Sequence, residues 1–134
     1  MIRVLVVDDQ PGFRSLLMQQ LQREGFEVAG AGDAHEAVNV ASNFHPHVLV
    51  GDWMLEDGHS GVDLALALQA AGVQAKLILM SAYPKETVEA EARSAGAITL
   101  LTKPFELPQL VAAIQRALDE DRQGDQLGTL KVEQ

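Results

Sequence analysis

The chain has 134 residues, 47% hydrophobic and 22% charged, which suits one domain with an aliphatic core and excludes disorder by composition. The balance of 19 acidic against 10 basic residues, a formal net charge of -9, argues against contacts to a phosphate backbone and so against direct nucleic-acid binding. Cysteine is absent, which excludes disulfide and thiol chemistry; the start is too short for a signal peptide, no stretch approaches the roughly 20 apolar residues of a membrane span, and a cytoplasmic protein without membrane contact is expected.

The first predicted strand is VLVV, residues 4–7, and it stops at the adjacent carboxylates of Asp8 and Asp9. Phe13, Leu16, Leu17 and Leu21 then repeat at helical spacing, with Gly25 as the stop. A weaker run, FEVAGA at 26–31, forms the second strand. Asp33 with Glu36 reads as a capping box for the second helix. The third strand, VLVG at 48–51, ends at Asp52. Ser60 with Asp63 caps a third helix over LALALQAAG. LILM, 77–80, is the fourth strand and ends at Ser81. Pro84 suits the first turn of a fourth helix that runs through Ser94 and stops at Gly96. ITLL, 98–101, is the fifth strand, followed by Lys103 and Pro104. Leu107, Leu110, Val111, Ile114 and Leu118 mark one face of a last helix, with Pro108 tolerated in its first turn. Residues 1–121 are thus the expected domain, and 122–134, without helical periodicity, the expected flexible tail or linker.

Alternating strands and helices imply a parallel sheet covered on both faces. Ligands of such sheets bind outside the C-terminal ends of the strands, where the strand order reverses. Asp8, Asp9, Asp52, Ser81 and Lys103 all fall at those ends. Two like charges 4 Å apart repel by up to about 4 kcal/mol at an effective dielectric of 20, so an Asp pair followed by a third Asp calls for a cation.

The segments VLVVDDQP, VLVGDWML, LILMSA and LLTKPF, in this order and spacing, resemble the receiver domain of bacterial two-component response regulators over residues 1 to about 121. The resemblance implies an α/β, flavodoxin-like, doubly wound (βα)5 fold with a five-stranded parallel sheet in order 2-1-3-4-5. It implies that Asp52 is the phosphoacceptor, assisted by Lys103 and Ser81. It also implies that Asp8, Asp9, Asp52 and the backbone carbonyl of Met54 hold Mg²⁺, with Mn²⁺ as a substitute. The implied partners are a sensor histidine kinase or phosphotransfer protein, and a fused or separate output domain. A homodimer through the face of the fourth helix, fifth strand and fifth helix is a further implied option. Such a protein modifies itself and turns over no free substrate, so it is not expected to be an enzyme in the usual sense.

Three features depart from the family pattern. Glu56 stands where Pro is usual, in a loop about one residue longer than the commonest form. Leu100 stands where the family usually has Tyr or Phe, so the coupling of Ser81 to an aromatic ring cannot run in its usual form. The third is the tail. A pseudo-receiver, a binding module that is never phosphorylated, is the alternative function. A Mg²⁺-dependent phosphohydrolase with an Asp nucleophile is disfavoured because no cap is inserted. Trp53 is expected beside the site as a partly exposed aromatic whose fluorescence could follow Mg²⁺, and Tyr83 could cover the site. His45, His47 and His59 are read as solvated loop residues.

Overall fold

The structure, a computed structural model, is described over residues 1–54, 60–123 and 131–133. The elements run β1 (Arg3–Val7), α1 (Pro11–Arg23), β2 (Glu27–Ala31), α2 (Ala34–Phe44), β3 (Val48–Asp52), α3 (Gly61–Ala70), β4 (Lys76–Ser81), α4 (Lys85–Ser94), β5 (Ala97–Thr102), α5 (Leu107–Gln123) and β6 (Lys131–Glu133). All strand pairs in the sheet are parallel, in the order β2-β1-β3-β4-β5-β6. The expected order 2-1-3-4-5 is present, and the order reverses between β1 and β3.

Alternation along each strand divides the apolar runs between two cores. Leu5, Val7, Leu49, Leu77, Leu79 and Leu100 face Ala37 and Ala41 of α2, Leu64 and Leu68 of α3, and Val88 and Ala92 of α4. Val4, Val6, Val48, Val50, Ile78 and Met80 face Leu17 and Leu21 of α1 and Leu110, Ala113 and Ile114 of α5. This is why the strands read as continuous apolar runs: both faces are covered.

The helix ends follow the signals in the chain. Asp33 Oδ1 accepts the Glu36 amide at 2.7 Å. Ser60 and Asp63 form a complete reciprocal capping box. Gly25 and Gly96, read as helix stops, have φ of +96° and +79°, a left-handed conformation that costs a glycine little. Among the described residues, no helix is long and apolar enough to cross a membrane.

The sixth strand differs from the five-stranded expectation. α5 continues through Gln123, and Lys131–Glu133 pairs with the edge of β5 from Thr99 to Leu101 within the segment read as a flexible tail. An edge strand of three residues is held through the backbone, so it needs no apolar alternation to mark it in a sequence. Residues 124–130 and 134 lie outside the described residues.

Candidate functional site

The crevice at the β1/β3 reversal gathers the residues singled out above. Asp8 follows β1 directly and is fully buried. Its amide donates to the Ala31 carbonyl at 3.1 Å, which continues the β1–β2 ladder and fixes the side chain's direction. Asp8 Oδ1 accepts the Gln10 amide at 2.9 Å, and Arg14 Nη1 donates to the Asp8 carbonyl at 2.6 Å. Asp52 is the last residue of β3, with its carboxylate partly exposed; Oδ1 accepts the Met54 amide at 3.4 Å. Asp8, Asp9 and Asp52 each bring a carboxylate oxygen within 4.8 Å of the other two. Such an all-oxygen carboxylate set suits a hard divalent cation.

Lys103 provides the fixed positive charge. Its Nζ lies 3.2 Å from Asp8 Oδ2 and 3.3 Å from Asp52 Oδ2. Its amide donates to the Ser81 carbonyl at 2.7 Å, which ties the end of β5 to the end of β4. Nζ also lies 4.6 Å from the centroid of the Phe13 ring, and that ring meets Phe105 edge-on at 6.5 Å. Burial pushes the Asp52 carboxyl above its usual range; the Lys103 charge pulls it back and the Asp8 charge pushes it up further.

Ser81 is 1% exposed. Its hydroxyl accepts the Tyr83 amide at 2.9 Å and donates to the Tyr83 carbonyl at 3.4 Å. Trp53 corrects an expectation: it is 8% exposed, not partly open. Its indole N–H donates to Glu91 Oε2 on α4 at 3.0 Å, and its ring meets Tyr83 at 5.1 Å and 71°. This pairing gives the indole N–H of a largely buried ring an acceptor on an exposed side chain, in a bond that is itself only partly buried. Leu100 is fully buried in the core, in line with an ordinary strand Leu.

The structure thus joins Asp8, Asp9, Asp52 and Lys103 in one cluster, with Ser81 bonded to Lys103 through the backbone. Met54 lies beside Asp52, and the contact between them is made by its amide. His45 and His47 sit at the opposite end of the sheet. The His45 carbonyl accepts from Arg3 Nε, and His47 Nδ1 accepts the Arg3 amide. Glu56 and His59 lie outside the described residues. Phe13, Arg14 and Glu91 were not legible as site residues. Phe13 reads as a core position of α1, and nothing local marks Arg14 or Glu91; only their distance to Lys103, Asp8 and Trp53 does.

A doubly wound parallel sheet with three carboxylates and a lysine at its switch point defines a receiver-type protein. The chain matches the response regulator receiver domain over residues 4–115 and belongs to that family, which works in two-component signalling. It is 32% identical over 122 residues to the transcriptional regulatory protein PdtaR of Mycobacterium tuberculosis, a match that covers 90% of this chain and 58% of that protein. It is 26% identical over 116 residues to sporulation initiation phosphotransferase F of Bacillus subtilis, covering 87% of this chain and 93% of that one. Among solved structures, chemotaxis response regulator CheY4 of Vibrio cholerae superposes with a TM-score of 0.77 at 27% identity, over 87% of this chain and 98% of that one. The chain spans little more than half the length of PdtaR.

Proposed function

We propose that this receiver accepts a phosphoryl group on Asp52 from the phosphohistidine of a histidine kinase or phosphotransfer protein. The observation that carries the reading is the setting of Asp52: a carboxylate at a strand end, with Lys103 Nζ at 3.3 Å and the oxygens of Asp8 and Asp9 alongside. An Asp52 oxygen attacks phosphorus, the P–N bond of the donor breaks, and its electron pair leaves on the imidazole, which takes up a proton. Water attack on phosphorus later releases inorganic phosphate and restores the carboxylate. Lys103 is placed to meet the charge of the phosphoryl oxygens, a role positioning and electrostatics dominate in phosphoryl transfer. Ser81 would exchange its hydrogen bonds to Tyr83 for one to the phosphoryl group.

Asp8, Asp9 and Asp52 would hold Mg²⁺, or Mn²⁺ in its place, with the Met54 carbonyl as a further ligand. Bound there, the ion neutralises the charge gathered on carboxylate and phosphoryl oxygens. The signal is proposed to leave through the α4–β5–α5 face, toward a fused or separate output domain or a second copy of the chain. The protein modifies itself and turns over no free metabolite.

Acetyl phosphate tests this reading. With Mg²⁺, intact-mass analysis should show one base-labile phosphoryl adduct, absent without Mg²⁺ and absent in Asp52→Asn. Lys103→Met should slow its formation by about 10²–10³-fold, the cost of losing one preorganised charge-stabilising group. Phosphorylation of Asp52→Asn at the wild-type rate would overturn the assignment. The second reading, a receiver fold that is never phosphorylated, draws support from Leu100 and Glu56 alone; failure to form any adduct would decide for it.

A further inference from the structure

α4 buries little along its own length: Val88 and Ala92 are its buried residues. Small side chains contribute little apolar area, at roughly 25 cal/mol per Å², so any added tether carries weight in holding this helix. Among the described residues, one such tether is the hydrogen bond from Trp53 Nε1 to Glu91 Oε2 at 3.0 Å. Trp53 is the residue after Asp52, and its backbone is held on both sides. Its amide donates to the Met80 carbonyl at 2.7 Å, and its carbonyl accepts the Gly61 amide at 2.6 Å. Its ring meets Tyr83 at 5.1 Å. Tyr83 is in turn held to Ser81 by both hydrogen bonds of the Ser81 hydroxyl.

We propose that Ser81, Tyr83, Trp53 and Glu91 form a relay that couples the state of Asp52 to the order of α4, with Trp53 and Glu91 as positioning residues. The proposal rests on Asp52 being the phosphoacceptor. The Ser81 hydroxyl has two alternative sets of partners, the Tyr83 backbone or a phosphoryl oxygen on Asp52. Taking the second set releases Tyr83, half exposed at 50%, and draws residues 81–83 toward the site. That movement closes the Tyr83 ring onto Trp53 and shields the Trp53–Glu91 bond from water. A hydrogen bond shielded in this way gains strength, and its gain differs between the two states, as a population shift requires. The relay needs no ring at position 100, where Leu100 is fully buried.

Hydrogen exchange over residues 85–95, measured in Mg²⁺ with and without beryllofluoride as a phosphoryl mimic, tests the relay. Calorimetry reads binding of the mimic independently. In the wild-type protein, the mimic should slow α4 exchange at least about fivefold, the lower end of ordinary coupling between sites. Trp53→Phe keeps a ring but removes the N–H, and Glu91→Ala removes the acceptor; in each, the mimic should still bind, and the change in α4 should fall below about twofold. Glu91→Gln keeps a carbonyl acceptor and should restore the wild-type response. A wild-type response in either Trp53→Phe or Glu91→Ala, with the mimic bound, would overturn the relay and leave the phosphoacceptor reading intact. A Glu91→Gln response as weak as that of Glu91→Ala would also overturn it. Failure of the mimic to bind the wild-type protein would overturn both.

Discussion

In the role proposed for it, Asp52 must be charged enough to attack phosphorus, yet it is partly buried. Burial raises its proton affinity, the adjacent Asp8 adds to this, and Lys103 opposes them. The consequence for stability has a definite sign. A carboxyl whose folded-state pKa lies above its unfolded value binds its proton more tightly in the native state. It therefore costs nothing below the unfolded pKa and becomes a growing penalty as pH rises through the window up to the folded one. In chelator-treated protein, Asp52→Asn should be more stable than wild type near neutral pH. Its advantage should shrink as the pH is lowered to about the unfolded carboxyl range. Urea unfolding at several pH values measures this; a wild-type protein that gains on Asp52→Asn as pH rises would contradict it.

At the scale of elements, the site is held by tight joins between strand ends and helix starts. Gly61, the first residue of α3, is one of these. A Cβ there would come 2.7 Å from Leu79 Cδ2 and 3.2 Å from Cδ1, with the Trp53 Cα at 3.5 Å. Leu79 is itself fully buried, so it has little room to yield. Gly61→Ala should cost about 1–3 kcal/mol, the usual range for overpacking a well-filled site, read as a lowered urea midpoint. Gly12→Ala is the control: nothing lies within 4 Å of its Cβ position, and because the residue lies in α1 the midpoint should hold or rise. Equal shifts in the two variants would mean that the α3 join is looser than the distances imply.

For the whole molecule, three carboxylates lie together at the switch point, and a bound cation should stabilise that arrangement. Any ligand that binds the native state alone stabilises by mass action, about 2.7 kcal/mol at a free concentration 100 times its dissociation constant. Thermal unfolding in Mg²⁺ at saturating concentration should therefore be raised in wild type. In Asp9→Ala at the same Mg²⁺ concentration most of the gain should vanish, because one of the three carboxylates of the cluster is gone. An equal gain in both proteins would remove Asp9 from the ligand set. The edge of the sheet is the other molecular feature. β6 occupies the β5 edge at Thr99–Leu101, within the face through which output is proposed to pass.

Much of this protein was legible in its sequence, because the relevant rules are local. Apolar runs of strand length, the Ser60–Asp63 box and the stops at Gly25 and Gly96 each depend on a few neighbouring residues, and the structure repeats them. The parallel sheet followed from the alternation of strands and helices, and that topology alone carries Asp8, Asp9, Asp52, Ser81 and Lys103 to one edge. The tertiary structure decided what depends on contact between distant segments. Trp53 is buried by packing into the core shared with α3 and α4, and Glu91, 38 residues away, accepts its N–H. Phe13 sits by Lys103 because the start of α1 meets the segment that follows β5, where its ring touches Phe105 edge-on, and the fit of Gly61 is set by Leu79 on β4. β6 could not be read in advance, since an edge strand is recruited by backbone groups that every residue but proline carries. Local signals placed the charges of the site; only packing decided which side chains hold them and where they connect to α4.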